Sequence, residues 1–127
     1  MAARPVRGNG LLVFCSVPQY VRRMQRYGLC GKLSAVSGER DRLTSIMRRA
    51  SESVAKLEGC LLYIVFEDLG DKDALWITEI WTSKAAHDIS LQNESVKAAI
   101  AEAMPCLNTA AMSRAELLPL FGVGMPA

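Results

Sequence analysis

The sequence predicts an α+β domain: an antiparallel sheet with helices packed on one of its faces. Three observations carry that prediction. Hydrophobic periodicity switches between period two and period three-to-four in the order strand, helix, strand, strand, helix, strand. Each of the two longer helical patterns has a single apolar stripe, enough to cover one side of a sheet. The two middle strands are apolar on both faces, so their second face needs a cover of its own. This order is the split βαβ, or ferredoxin-like, βαββαβ arrangement.

The first strand is read at residues 27–35 (YGLCGKLSA), with Tyr27, Leu29, Leu33 and Ala35 on one face and Cys30, Lys32 and Ser34 on the other. Ser37, Gly38 and Glu39 then open a helix, with Glu39 and Asp41 in the first turn, where the helix dipole favours acids. Leu43, Ile46, Met47, Ala50, Val54 and Leu57 form its buried stripe, and Gly59 is expected to end it. Residues 60–67 (CLLYIVFE) are the second strand, 68–73 (DLGDKD) a turn, and 74–82 (ALWITEIWT) the returning hairpin partner. Trp76 and Trp81 are five positions apart and therefore face opposite sides.

Ser83 is placed to cap a short helix over residues 84–91, which carries His87, the only histidine of the chain. Asn93 or Ser95 caps a further helix with the stripe Val96, Ala99, Ile100, Ala103, Met104 and Leu107, bent or ended by Pro105. A last strand is expected at 114–121 (RAELLPLF), on an edge or bulged, because Pro119 cannot donate to a ladder. Glu79 shares a face with Trp81, and its carboxylate is expected to pair with Arg114 on that last strand. Helices cover one sheet face only, so a second copy is expected on the other, giving a sheet-to-sheet homodimer.

Charge and composition narrow the partners. Half the 127 residues are hydrophobic and 22% are charged, which describes a folded domain. No acidic residue precedes Gly38, whereas from Met24 onward 11 basic residues face 13 acidic ones, so no nucleic-acid-binding surface is expected. Residues 1–25 read as a loosely docked extension, with Met24 as an alternative start, 26–121 as the domain, and 122–127 as a tail. The eight apolar residues at 10–17 are too few to span a bilayer, and no membrane association is expected. Cys15, Cys30, Cys60 and Cys106 are widely spaced without clustered histidine, which argues for reduced thiols in a cytoplasm and against zinc.

Segments 27–43 (YGLCGKLSAVSGERDRL), 57–68 (LEGCLLYIVFED) and 74–91 (ALWITEIWTSKAAHDISL) together resemble the antibiotic biosynthesis monooxygenase family. The most specific element is E-x-W-x-S-x-x-A-H, here Glu79, Trp81, Ser83, Ala86 and His87. The resemblance implies a dimeric α/β barrel of ferredoxin-like subunits that oxidises an electron-rich aromatic, such as a quinol or polyphenol, with molecular oxygen and neither metal nor flavin. It implies Trp81 as the aromatic wall of a pocket, His87 as base or hydrogen-bond donor, and Tyr63 as the group orienting a substrate hydroxyl. Many relatives carry further histidines where this chain has Ser90 and Ser95. The haem-degrading branch calls for an asparagine and a histidine ligand where Gly31 and Ile100 stand, so haem degradation is not expected.

Each of these residues also has a structural reading. Trp81 and Tyr63 suit a core, and His87 suits a helix surface or a packing role. A non-catalytic ligand-binding or sensing domain of the same fold is therefore the alternative to an enzyme.

Overall fold

The computed structural model describes residues 25–127, together with the backbone of two short strands, β1 (Val6–Gly8) and β2 (Leu11–Val13), which pair antiparallel. Apart from those two strands and residue 25, the expectations for the extension at residues 1–25, including the state of Cys15, lie outside the described residues. The main sheet comprises β3 (Tyr27–Ser34), β4 (Cys60–Glu67), β5 (Ala74–Trp81) and β6 (Ser113–Leu117). It is antiparallel throughout, in the order β4-β5-β3-β6, which is the ferredoxin-like order. Helix α1 (Arg40–Val54) packs on α3 (Glu94–Ala103), and the short helix α2 (Lys84–Ser90) follows β5.

The α1 stripe is buried as its spacing predicts: Leu43, Ile46, Met47, Ala50 and Val54 all face the sheet. Leu43, Ile46 and Met47 meet Leu75 and Ile77 of β5, with Ala35, Ala103 and Cys106 completing that part of the core. A second cluster joins Tyr27, Leu29, Val54, Trp81 and Val96. Removing this apolar surface from water, at roughly 25 cal/mol per Å², is the main force holding helices to sheet.

The helix ends differ in one place from the sequence reading. α1 stops at Val54, five residues before Gly59, and the chain tightens through turns donated by Lys56 to Ser53 and Leu57 to Val54. Gly59 instead forms the corner into β4, with φ of 90°, a region that L side chains rarely enter. A Cβ there would lie 2.7 Å from the Cβ of Ala86 and 2.9 Å from Oγ1 of Thr82. Glycine at 59 thus serves both the turn and the close approach of α2. The cap readings hold: Ser83 Oγ accepts from the Ala86 amide at 3.0 Å, and Asn93 Oδ1 accepts from Ser95 and Val96.

The last strand is also shorter than expected. β6 ends at Leu117, before Pro119, and lies on the sheet edge next to β3. The tail beyond it is held by Arg26, whose guanidinium donates to the carbonyls of Pro126 and Ala127.

Register fixes the two sheet faces. Leu75, Ile77, Glu79 and Trp81 look toward the helices, while Trp76, Thr78 and Ile80 look away. On that far side Ile64 and Phe66 of the β4 edge remain 43% and 46% exposed, and Leu117 is exposed on the opposite, β6 edge. Trp76 does lie opposite Trp81, with its indole N–H donating to Asp68 Oδ2 at 2.7 Å. Within one chain, then, the expected two-sided burial of the middle hairpin is met on the helix side only. No described helix is long and apolar enough to cross a membrane.

Candidate functional site

The strand-to-helix corner at residues 81–84 turns the chain from the sheet into α2 and brings the imidazole of His87 back over the sheet. His87 is 5% exposed and Trp81 1% exposed. The imidazole lies edge-on to the Trp81 indole, ring centroids 5.7 Å apart, and tilted against Tyr27 at 5.2 Å. Its Nδ1 is 3.0 Å from Asp88 Oδ1, and Lys84 Nζ reaches the same carboxylate at 3.3 Å. The His87 and Lys84 contacts hold the Asp88 carboxyl below the usual carboxylate range, so it is ionised at neutral pH. An ionised acceptor on Nδ1 selects the tautomer with the proton there. The other ring nitrogen, Nε2, has no hydrogen-bond partner among the described residues.

Trp81 is fixed through its polar edge. The indole N–H donates to Glu79 Oε1 at 3.0 Å, two residues back on the same strand face. This corrects the expected Glu79–Arg114 ion pair, which does not form among the described residues. Glu79 acts on its other neighbours at a distance. Burial and then the Glu79 charge push the Tyr63 phenol above the ordinary tyrosine range and raise the Cys60 thiol. Tyr27 is likewise pushed up to about 12, by burial and by its hydroxyl donating to Glu116 Oε2 at 2.7 Å. At neutral pH both phenols are therefore neutral donors and Cys60 is an inert thiol.

Two adjoining cavities lie between sheet and helices. The inner one, of about 320 Å³, is lined by Tyr63, Glu79, Trp81 and His87 among apolar side chains of α1 and α3. The outer one, of about 420 Å³, is lined by Leu29, Gly31, Leu33, Ile77, Glu79, His87, Leu91, Met112 and Arg114. Glu79 and His87 belong to both walls. The structure thus gathers the three residues singled out in the sequence, Tyr63, Trp81 and His87, around one cavity. It also explains why Ile100 and Met104 of the last helical stripe stay exposed: they line the inner cavity instead of filling the core.

Sequence reasoning missed Tyr27 as a neighbour of the imidazole, and Glu116 as the acceptor of its hydroxyl. The signal lay in register: Tyr27 pairs directly with Trp81, so it had to arrive beside whatever follows that strand. Among the described residues no group of three or more His, Cys, Asp or Glu side chains comes together as a metal site. Ser90 turns its hydroxyl onto the His87 carbonyl at 2.5 Å.

The protein-family model for antibiotic biosynthesis monooxygenase matches residues 27–102. A crystal structure from Chloroflexus aurantiacus, assigned to the antibiotic biosynthesis monooxygenases, shares 41% identity with a TM-score of 0.70. The match covers 78% of this chain and 97% of that one. A similarly assigned protein from Caulobacter crescentus has 18% identity and a TM-score of 0.71, covering 80% and 95% of the two chains. SnoaB, a cofactor-independent oxygenase from Streptomyces nogalater, has 9% identity and a TM-score of 0.67, covering 79% and 98%, and so shares the fold. Among curated proteins none matches this chain.

Proposed function

The chain belongs to the antibiotic biosynthesis monooxygenase family, and from that membership we propose that it oxidises a small hydroxylated aromatic with molecular oxygen, without a cofactor. The observation that carries the reading is the meeting of Tyr63, Trp81 and His87 around one apolar cavity between sheet and helices. A mostly apolar chamber with a few converging polar groups suits a flat aromatic ligand.

The electron balance explains why the protein need supply little. A quinol going to a hydroxyquinone, or an anthrone methylene going to a carbonyl, releases four electrons. These reduce dioxygen so that one atom stays on carbon and the other leaves as water, and no external reductant enters. The protein must deprotonate the substrate, hold it, and exclude bulk water from the intermediates. Nε2 of His87 takes the phenolic proton, while Asp88 holds Nδ1–H and stabilises the imidazolium. The resulting oxyanion passes an electron to oxygen, the radical pair combines into a C–O bond, and the peroxide collapses with loss of water. Trp81 is the flat wall against which the ring lies. Tyr63, a neutral phenol with no hydrogen-bond partner among the described residues, donates to the developing oxyanion.

Oxygen uptake by metal-free protein with naphthohydroquinones and anthrones tests the reading, with one oxygen consumed per product formed. Quenching of tryptophan fluorescence by these compounds with no uptake across the panel would replace it by the ligand-binding alternative. Free thiols at Cys30, Cys60 and Cys106 fit a reducing compartment, and we place the protein in the cytoplasm.

We also propose that two copies pack sheet to sheet, covering Ile64, Phe66 and Leu117. Large apolar side chains left exposed across one sheet face are the mark of an interaction face. Light scattering should give twice the 13.9 kDa chain mass. Phe66→Lys should shift the protein to monomer, because it buries an unpaired ammonium in the interface. A monomeric parent at micromolar concentration would refute the dimer.

A further inference from the structure

The outer cavity carries a charge pattern that the proposed oxidation does not use. On the helix side of the sheet its lining presents three ionisable side chains: Glu79, His87 and Arg114. Two are engaged. Glu79 accepts from the Trp81 indole, and His87 is held by Asp88. Arg114 alone has neither ion pair nor hydrogen bond from its guanidinium among the described residues. Register sets it on the same sheet face as Ile77 and Trp81, because it pairs with Gly31, which pairs in turn with Ile77.

Gly31 keeps the space beside Arg114 open. A Cβ at that position would lie 3.3 Å from the Ser113 carbonyl oxygen and 3.4 Å from the Cβ of Arg114, so any side chain there would press on the arginine. Arg114 and Ser113 are solvent-exposed, whereas His87 is buried, so the arginine stands toward the open end of the cavity and the imidazole toward its closed end.

We propose that Arg114 binds an anionic substituent of the substrate, so that the preferred substrates are hydroxylated aromatic acids. This rests on the oxidation site assigned above and deepens it. The two ends of the cavity have opposite signs. A carboxylate is drawn to the guanidinium fork and repelled by Glu79, so the ring enters with its hydroxyl end toward His87. Arg114 thereby determines both which aromatic is bound and which way round it lies.

The test compares a dihydroxynaphthoic acid with its methyl ester, following oxygen uptake by the full-length protein. The parent should favour the acid by roughly tenfold or more in kcat/KM, through KM, as expected for a charge-assisted pair. Arg114→Gln should bring the acid-to-ester ratio close to one, and Arg114→Lys should restore part of it. Equal use of acid and ester by the parent, or equal losses on both in Arg114→Gln, would overturn the proposal. Binding measured by tryptophan quenching separates it from the oxidation itself. If the acid binds in preference to the ester, and that preference depends on Arg114 although no oxygen is consumed, anion recognition stands and the oxygenase reading falls. If both are oxidised without preference, the oxygenase stands and anion recognition falls.

Discussion

Replacing His87 with glutamine should lower kcat for quinol oxidation by roughly 10²–10⁴-fold while leaving KM within a few-fold, the range expected when a general base is removed. Glutamine keeps a comparable bulk against Tyr27 and Trp81 but cannot take a proton at neutral pH. No other described side chain on the inner cavity replaces it. Tyr63 is held neutral by burial and Glu79, and Glu79 itself is committed to the Trp81 indole. Steady-state oxygen uptake across pH checks this, together with a melting curve showing that the variant is folded. A fall in kcat below tenfold would mean that the substrate ionises without the imidazole. His87 would then be a packing residue, the duller of its two readings.

Trp81→Ala should be the most damaging single substitution for stability, lowering it by roughly 3–5 kcal/mol as large-to-small changes of buried aromatics do. Against a typical total of about 5–15 kcal/mol, that is a large share. Trp81 is 1% exposed and joins Tyr27, Leu29, Val54 and Val96 in one cluster, so its loss opens a cavity under both α1 and α3. It also strips the Glu79 carboxylate of its N–H donor. Trp81→Phe separates the two effects by keeping an aromatic ring while removing the donor, and should cost about 1–2 kcal/mol. Urea unfolding of the three proteins decides the matter. A Trp81→Ala variant within about 1 kcal/mol of the parent would show that the indole supports a ligand and not the core.

Much of this was legible from periodicity. Strict alternation in residues 27–35 placed Tyr27 and Leu29 toward the helices, and the spacing of Leu43, Ile46, Met47, Ala50 and Val54 fixed the inner face of α1. Ser83 and Asn93 announced their helices, because a short polar side chain can satisfy first-turn amides. The five-residue offset of the tryptophans sent them to opposite faces.

What escaped was decided by pairing between distant segments. Glu79, on a face where a carboxylate needs a partner, is expected to meet Arg114, yet it takes the indole two residues along its own strand. Tyr27 reached the imidazole through strand register. The end of α1 was misjudged because Gly59 announces a left-handed corner and not a helix stop. Ile100 and Met104 fit an apolar stripe perfectly well, but a stripe cannot say whether its residues fill a core or wall an empty space.

The corner at Gly59 ties evolvability to geometry. Its missing methyl group lets the strand that follows it and the short helix bearing the imidazole touch through Ala86 and Thr82. Any heavier residue at either 59 or 86 would act as a wedge, tipping that helix and retuning the chamber without altering a single group inside it. Variation in substrate range among descendants of this chain could therefore begin at a contact that never meets the substrate.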